Sequence, residues 1–154
     1  MAAQLPDRII LNGEIRHLYS NPLESYWIKP GKNRPLFCSL INCKRGYIAT
    51  WELKDHQLFL RDLVGNCEKR SFFFIKKMER YSIHTLFPRI REMPIKALWF
   101  SGKLRIPIGK ITRYENTGYD TRFDKEIIIT IEKGDVMKMV TLDSARKVLI
   151  IHAP

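Results

Sequence analysis

Apolar residues in this chain recur at every second position far more often than at every third or fourth, and that period decides the fold class. In Tyr47-Ile48-Ala49-Thr50-Trp51-Glu52-Leu53, residues Tyr47, Ala49, Trp51 and Leu53 share one parity, while Thr50 and Glu52 take the other. Side chains alternate across a strand, so this is the pattern of a ladder buried on one face. Lys54-Asp55-His56-Gln57 then turns the chain. Leu58-Phe59-Leu60-Arg61-Asp62-Leu63 runs back until Gly65-Asn66 breaks it, which predicts a hairpin. Residues 126–132, the two-residue turn Lys133-Gly134 and residues 135–142 repeat the arrangement, with glycine supplying the positive φ that a tight loop needs.

Residues 9–19 carry a further turn signal in Asn12-Gly13. Residues 36–41 and 71–75 are apolar enough for strands buried on both faces. Residues 95–100 lead through Ser101-Gly102 into 104–109, where Pro107, lacking an N–H, marks an edge strand or a strand end. Helical signals are few. One turn is expected at residues 23–28 after Asn21-Pro22, and a short helix around Met78-Glu79-Arg80, with 81–87 alternating like a strand before Pro88. A chain of 154 residues leaves no room for a second independent core, and 45% hydrophobic with 28% charged residues excludes wholesale disorder. The expectation is one mainly β domain over residues 1–154: an antiparallel sandwich or partly closed barrel with at most one or two short helices. Trp51 and Trp99 are assigned to its core.

No apolar run reaches the roughly 18 to 20 residues of a membrane-spanning helix, and Met1-Ala2-Ala3-Gln4-Leu5-Pro6-Asp7-Arg8 has neither the basic nor the apolar region of a secretory signal. Cys38, Cys43 and Cys67 read as free thiols that belong to the packing. The location expected on these grounds is cytoplasmic, without a membrane partner.

Catalytic and metal signatures do not emerge. His17, His56, His84 and His152 lack ligand spacing, and Cys38 and Cys43 have no second thiol pair, so neither a metal nor another cofactor is expected. Gly102-Lys103 and Gly109-Lys110 lack the spacing of a phosphate loop, and Ser101-Gly102 lacks that of a nucleophile elbow. No catalytic residue is assigned, and a binding protein is favoured over an enzyme.

Charge is unevenly spread. Residues 1–67 hold nine basic and six acidic residues, 68–113 twelve and three, and 114–154 six and seven, so the middle segment carries +9 of the total +11. Its cations are Lys69, Arg70, Lys76, Lys77, Arg80, Arg89, Arg91, Lys96, Lys103, Arg105, Lys110 and Arg113. In an extended 103–108, Lys103 and Arg105 share a parity with Pro107, opposite Leu104, Ile106 and Ile108, which puts the cations on a solvent face. Such a face beside aromatic rings suits an acidic protein or single-stranded nucleic acid, although it equally keeps strand edges soluble. Next to it lies a polar, aromatic loop with a glycine pivot, in which Tyr114, Asn116, Tyr119 and Phe123 are candidate interaction residues.

"NPLESYW" at 21–27, "RGYIATWEL" at 45–53, "LFLRDL" at 58–63, "LWFSGKLRIPIGK" at 98–110 and "NTGYDTRFDKEIIITIEKGDV" at 116–136 together resemble a group of small bacterial β-rich proteins. That group carries a Gly-Tyr-Val-Ala-Thr-Trp-Glu strand, a Trp-Phe-(Thr/Ser)-Gly strand pair ending in an Ile/Leu-Pro-x-Gly turn, and a Gly-Tyr loop before a final hairpin. The resemblance implies a bacterial, β-rich domain and transfers no catalytic residue. Residues 67–93 are least similar, which marks them as a candidate specialised surface. The function expected is a non-enzymatic protein-binding module, of immunity or antitoxin type, acting on an acidic partner through the basic β-surface and the Tyr-rich loop. The alternative is a nucleic-acid-binding domain using the 69–113 face.

Overall fold

Tight turns lay out the sheet. In the computed structural model, which describes residues 2–70, 76–144 and 148–152 and no side chains at 67–70, 76–79 or 148–149, strands β1 (Asp7–Leu11) and β2 (Glu14–Leu18) meet at Asn12-Gly13. Both turn residues take positive φ, 52° and 79°, as such a two-residue hairpin requires. After α1 (Glu24–Ile28), β3 (Tyr47–Lys54) and β4 (Gln57–Arg70) form the first expected hairpin. Next come β5 (Lys76–Ser82), α2 (Ile83–Leu86), β6 (Ile95–Lys96), β7 (Gly102–Pro107), β8 (Ile111–Arg113) and β9 (Arg122–Phe123). The second expected hairpin is β10 (Lys125–Glu132) and β11 (Asp135–Asp143), and β12 (Val148–His152) pairs with β11.

The main sheet runs β2-β1-β3-β4-β11-β10-β7, with β5 and β6 on β4 and β12 on β11, while β8 and β9 form a separate pair. The fold is mainly β, as expected, and its sheet is not closed into a barrel. It is mixed rather than wholly antiparallel, because the connection through α1 returns β3 parallel to β1. Among the described residues no helix is long and apolar enough to cross a membrane.

Four local expectations are corrected. Gly65-Asn66 does not end β4: a Cβ at Gly65 would lie 2.9 Å from the Phe37 ring, so glycine lets that ring pack on a continuing strand. Residues 36–41 form no strand. Pro35 precedes them, a reciprocal Leu40–Cys43 backbone pair bends the chain, and Leu36, Leu40 and Ile41 are exposed. The helix around 78–80 is the strand β5, and helix instead occupies 83–86, where Ser82 and Thr85 form a capping box. Of residues 95–100, Ile95 and Lys96 pair with β4 and the Ala97 N–H donates to the Leu58 carbonyl at 2.9 Å, before the Phe100 N–H turns back onto the Ala97 carbonyl. The strand expected at 71–75 lies outside the described residues.

Trp51 is fully buried among Ile9, Leu58, Leu60, Leu104, Ile106, Ile129 and Ile131. Trp99, off any strand, is half-buried and donates its Nε1–H to the Pro22 carbonyl at 3.0 Å. Cys43 is a buried free thiol and Cys38 is half-buried; the Cys67 side chain is not described.

One polar network penetrates this core. The Asp7 carboxyl is wholly buried and receives Arg45 Nη2 at 2.7 Å, the Ala49 N–H at 3.0 Å and Trp51 Nε1–H at 3.1 Å. Burial pushes this carboxyl above its ordinary range, against the pull of Arg45 and the two N–H donors. Beside it the Tyr47 hydroxyl donates to Glu24 Oε1 at 3.1 Å, and the Arg45 guanidinium lies 5.3 Å from the Tyr47 ring centroid. Burial, reinforced by the Asp7 and Glu24 carboxylates, drives the Tyr47 phenol far above its ordinary range.

A stability prediction follows with a definite sign. Above the usual tyrosine pKa of about 10 the unfolded chain releases a proton that folded Tyr47 keeps, so stability falls with rising pH by about 1.4 kcal/mol per pH unit. Denaturant midpoints at about pH 9, 10 and 11 should therefore decline, and Tyr47→Phe should flatten the decline. Equal slopes in the two proteins would refute the assignment.

Candidate functional site

The two ends of the sheet approach each other along β2 and β7, and backbone register shows why they fail to zip. In the β1–β2 hairpin the Leu11↔Glu14 pair closes the turn, so Glu14, Arg16 and Leu18 exchange hydrogen bonds with β1 while Ile15 and His17 point their N–H and C=O outward. Tyr19 is next on that outward edge, and its N–H donates to the Arg105 carbonyl of β7 at 2.8 Å. The Arg105 N–H in turn donates to Ser20 Oγ at 3.1 Å. Two residues along β7 stands Pro107, which has no N–H to offer the His17 carbonyl. Beyond it the Ile108 and Gly109 N–H groups both turn away to the Lys125 carbonyl at 3.0 Å. The expectation that Pro107 ends a strand is met, and here it leaves the seam open.

The opening is a cleft of about 430 Å³, lined by Ile15, Arg16, His17, Tyr19, Pro107 to Gly109, Ile111 and Phe123. Its walls are apolar where Ile15 is 67% and Ile111 58% exposed. Arg16 Nη2 pairs with the exposed Glu14 at 2.8 Å.

Arg105 closes the seam above the cleft and fastens the Tyr-rich loop. Its guanidinium bonds Glu126 Oε1 through Nε at 3.0 Å, the Tyr119 carbonyl through Nη1 at 2.5 Å and the Thr121 carbonyl through Nη2 at 2.8 Å. It also lies 5.4 and 5.9 Å from the Tyr19 and Phe123 ring centroids. Tyr19 stacks on Tyr119 at 5.1 Å and meets Phe123 edge-on at 5.5 Å. Burial raises the Tyr19 and Tyr119 phenols, with Arg105 opposing the first, and Arg45 and Asn21 the second. On the other side of the stack, Arg105, Arg113, Glu115, Tyr119, Asp120 and Arg122 line a polar cleft of about 410 Å³.

The residues singled out in the sequence divide accordingly. Lys103, Arg105, Lys110 and Arg113 come together with the loop at the seam, but only Lys103 and Lys110 stand exposed there without a carboxylate against them among the ion pairs described. Arg113 pairs with Glu115 at 2.5 Å, and Lys96, on another part of the sheet, pairs with Asp135 at 2.7 Å. Arg105 is no solvent-facing cation; its parity is outward, yet Glu126 and two carbonyls take it up. Arg80, Arg89 and Arg91 are exposed on β5 and in the connection after α2. Lys69, Arg70, Lys76 and Lys77 have described backbone only, with Lys69 opposite Lys77 and Arg70 opposite Lys76. In the loop, Asn116 Oδ1 accepts the Ala3 N–H at 3.1 Å and Tyr119 donates its hydroxyl to the Leu5 carbonyl at 3.3 Å, so both serve the fold. Phe123 is half-buried, and Tyr114 presents its ring to solvent.

Sequence reasoning missed Ile15, His17, Tyr19 and Ile111. Counting register back from the Asn12-Gly13 turn identifies the outward edge of β2, but which strand faces that edge depends on the whole sheet order. No group of three His, Cys, Asp or Glu side chains suited to a metal occurs among the described residues. Comparison with known proteins finds no matching family model, curated protein or solved structure.

Proposed function

We propose that the protein is a non-enzymatic binding module for a protein partner with an acidic surface, of the kind by which an immunity protein or antitoxin inhibits its target. The observation that carries this reading is the Arg105 clamp. It fastens the Tyr-rich loop to β7 beside the apolar cleft, and Tyr114, Lys103 and Lys110 are exposed on the segments that flank it. A rigid aromatic and basic surface loses little conformational entropy on docking, and its charge steers an acidic partner. A bacterial setting enters from the sequence resemblance alone.

The test uses Lys103→Glu/Lys110→Glu, which reverses two exposed charges and leaves Arg105 in place. An acidic protein co-purified in stoichiometric amount and then titrated in pure form should bind this variant at least about tenfold more weakly, with unchanged thermal unfolding. Undiminished affinity would remove the face from consideration. The second reading, a nucleic-acid surface, is favoured by one observation: the facing Lys69/Lys77 and Arg70/Lys76 pairs on β4 and β5. Labelled RNA or DNA whose affinity falls about 10³-fold between about 50 and 200 mM salt, and ignores the double substitution, would support that reading instead.

A further inference from the structure

We propose that β12 offers its outer edge to a second copy of the chain, the two copies joining antiparallel into one continuous sheet with Ile150 on the twofold axis. The inference goes beyond the binding-module reading, uses a different part of the sheet and stands or falls without it.

Register fixes which groups β12 presents. The Ser144 N–H donates to the Asp124 carbonyl at 2.8 Å, while the Lys125 carbonyl turns the other way, to the Ile108 and Gly109 N–H groups. Alternation from there gives the backbone groups of Leu142 to β10, and those of Asp143, Thr141 and Met139 to β12. Thr141 stands opposite Ile150 and Met139 opposite His152, so Ile150 and His152 bond inward. Leu149 and Ile151 therefore point their N–H and C=O outward. β12 pairs with β11 alone, and no other described strand packs along it. Ile150 is 49% and Ile151 63% exposed.

This edge is bare where other edges are guarded. β5 carries Lys76, Lys77, Glu79 and Arg80, and β7 carries Pro107, the charges and the missing N–H that keep further strands from adding. Val148-Leu149-Ile150-Ile151-His152 has no acid, lysine, arginine, glycine or proline, and Thr141 Oγ1 engages its histidine at 2.7 Å.

Self-complementarity chooses the occupant. With Ile150 facing its own copy, Leu149 of each chain meets Ile151 of the other as a hydrogen-bonded pair. Leu142 lies opposite Leu149 and Val140 opposite Ile151, so each such row across the joint reads Val140, Ile151, Leu149, Leu142, apolar from end to end. Centring one residue either way sets Lys147 opposite Ile151 or Pro154 opposite Val148. Charge permits the approach, because residues 114–154 hold six basic and seven acidic residues while the excess lies in 68–113. The pairing occupies the same edge of both copies, so assembly closes at two.

Sedimentation of the intact protein between about 5 and about 500 µM should show its mass rising from one chain toward two. Added salt should tighten the association by screening two copies of net charge +11 from each other. Ile151→Lys sets a lysine on the exposed edge and should weaken association at least about tenfold, with unchanged unfolding of the monomer. Ile150→Cys tests the register. A non-hydrogen-bonded pair brings Cα atoms to about 4.5 Å, within a disulfide's reach, so oxidised glutathione should link two copies through residue 150, as peptide mapping reads. His152→Cys, two residues along, should not link to itself at a comparable rate.

A single-chain mass throughout the range overturns the proposal, and so does a mass that climbs past two. Association that Ile151→Lys leaves untouched, or self-linking of His152→Cys as ready as that of Ile150→Cys, places the contact elsewhere and overturns it too. The acidic-partner reading is judged separately, on Lys103→Glu/Lys110→Glu.

Discussion

Asp7→Ala is expected to lower the free energy of unfolding by about 3–5 kcal/mol, a third or more of the stability typical of a single domain. The carboxyl is 0% exposed and serves three donors at once, from Arg45, Ala49 and Trp51. Truncation leaves two N–H groups without an acceptor and a guanidinium in a side chain only 8% exposed. No slack exists to absorb this: Arg45 Nη1 is committed to the Leu5 carbonyl at 2.7 Å, and its Nε already has no partner among the described residues. The damage should come from the stranded cation more than from the lost contact, because a buried ion pair costs nearly as much in desolvation as it returns. Asp7→Ala combined with Arg45→Met should therefore be more stable than Asp7→Ala alone. Urea unfolding followed by tryptophan fluorescence measures both. A single variant within about 1 kcal/mol of the parent, or a double variant weaker than the single, would contradict the account.

The features legible in the sequence are those with short-range causes. Asn12-Gly13, Asp55-His56 and Lys133-Gly134 each reverse the chain where turn chemistry places them, and all six residues take positive φ. Pro107, for want of one hydrogen atom, leaves the β2-facing edge of its strand unpaired. Misreadings arise where a partner distant in sequence decides. The break expected at Gly65 is filled by Phe37, and residues 36–41 are apolar yet mostly exposed, with Phe37 as the ring that packs against Tyr47 and Tyr81. Parity correctly turns Arg105 away from Leu104 and Ile106, but says nothing of the Tyr-rich loop folding over it. Asp7 gave no signal at all, since a lone acid at the start of a strand looks like an ordinary surface residue until Trp51 and Arg45 are brought to it.

The same distant partners make Arg105 the second sensitive position. Arg105→Met preserves the length and apolar stem that pack between Tyr19 and Phe123, and removes only the planar fork. It leaves Glu126, 14% exposed, without its cation and frees the Tyr119 and Thr121 carbonyls. With the arginine itself 26% exposed, solvent screens part of the loss, and the expected cost is about 2–3 kcal/mol. Arg105→Lys should recover little of this, because an ammonium cannot reach a carboxylate and two divergent carbonyls at once. The combination with Glu126→Gln separates the contributions: removing the orphaned carboxylate should restore about 1 kcal/mol, while the carbonyl bonds stay lost. Function gives the decisive readout. If the clamp is what presents the binding face, Arg105→Met at a temperature where it remains folded should bind the acidic partner at least about tenfold more weakly. Loss of stability with unimpaired binding would make Arg105 a fastener of the fold alone and move the interaction surface away from the seam.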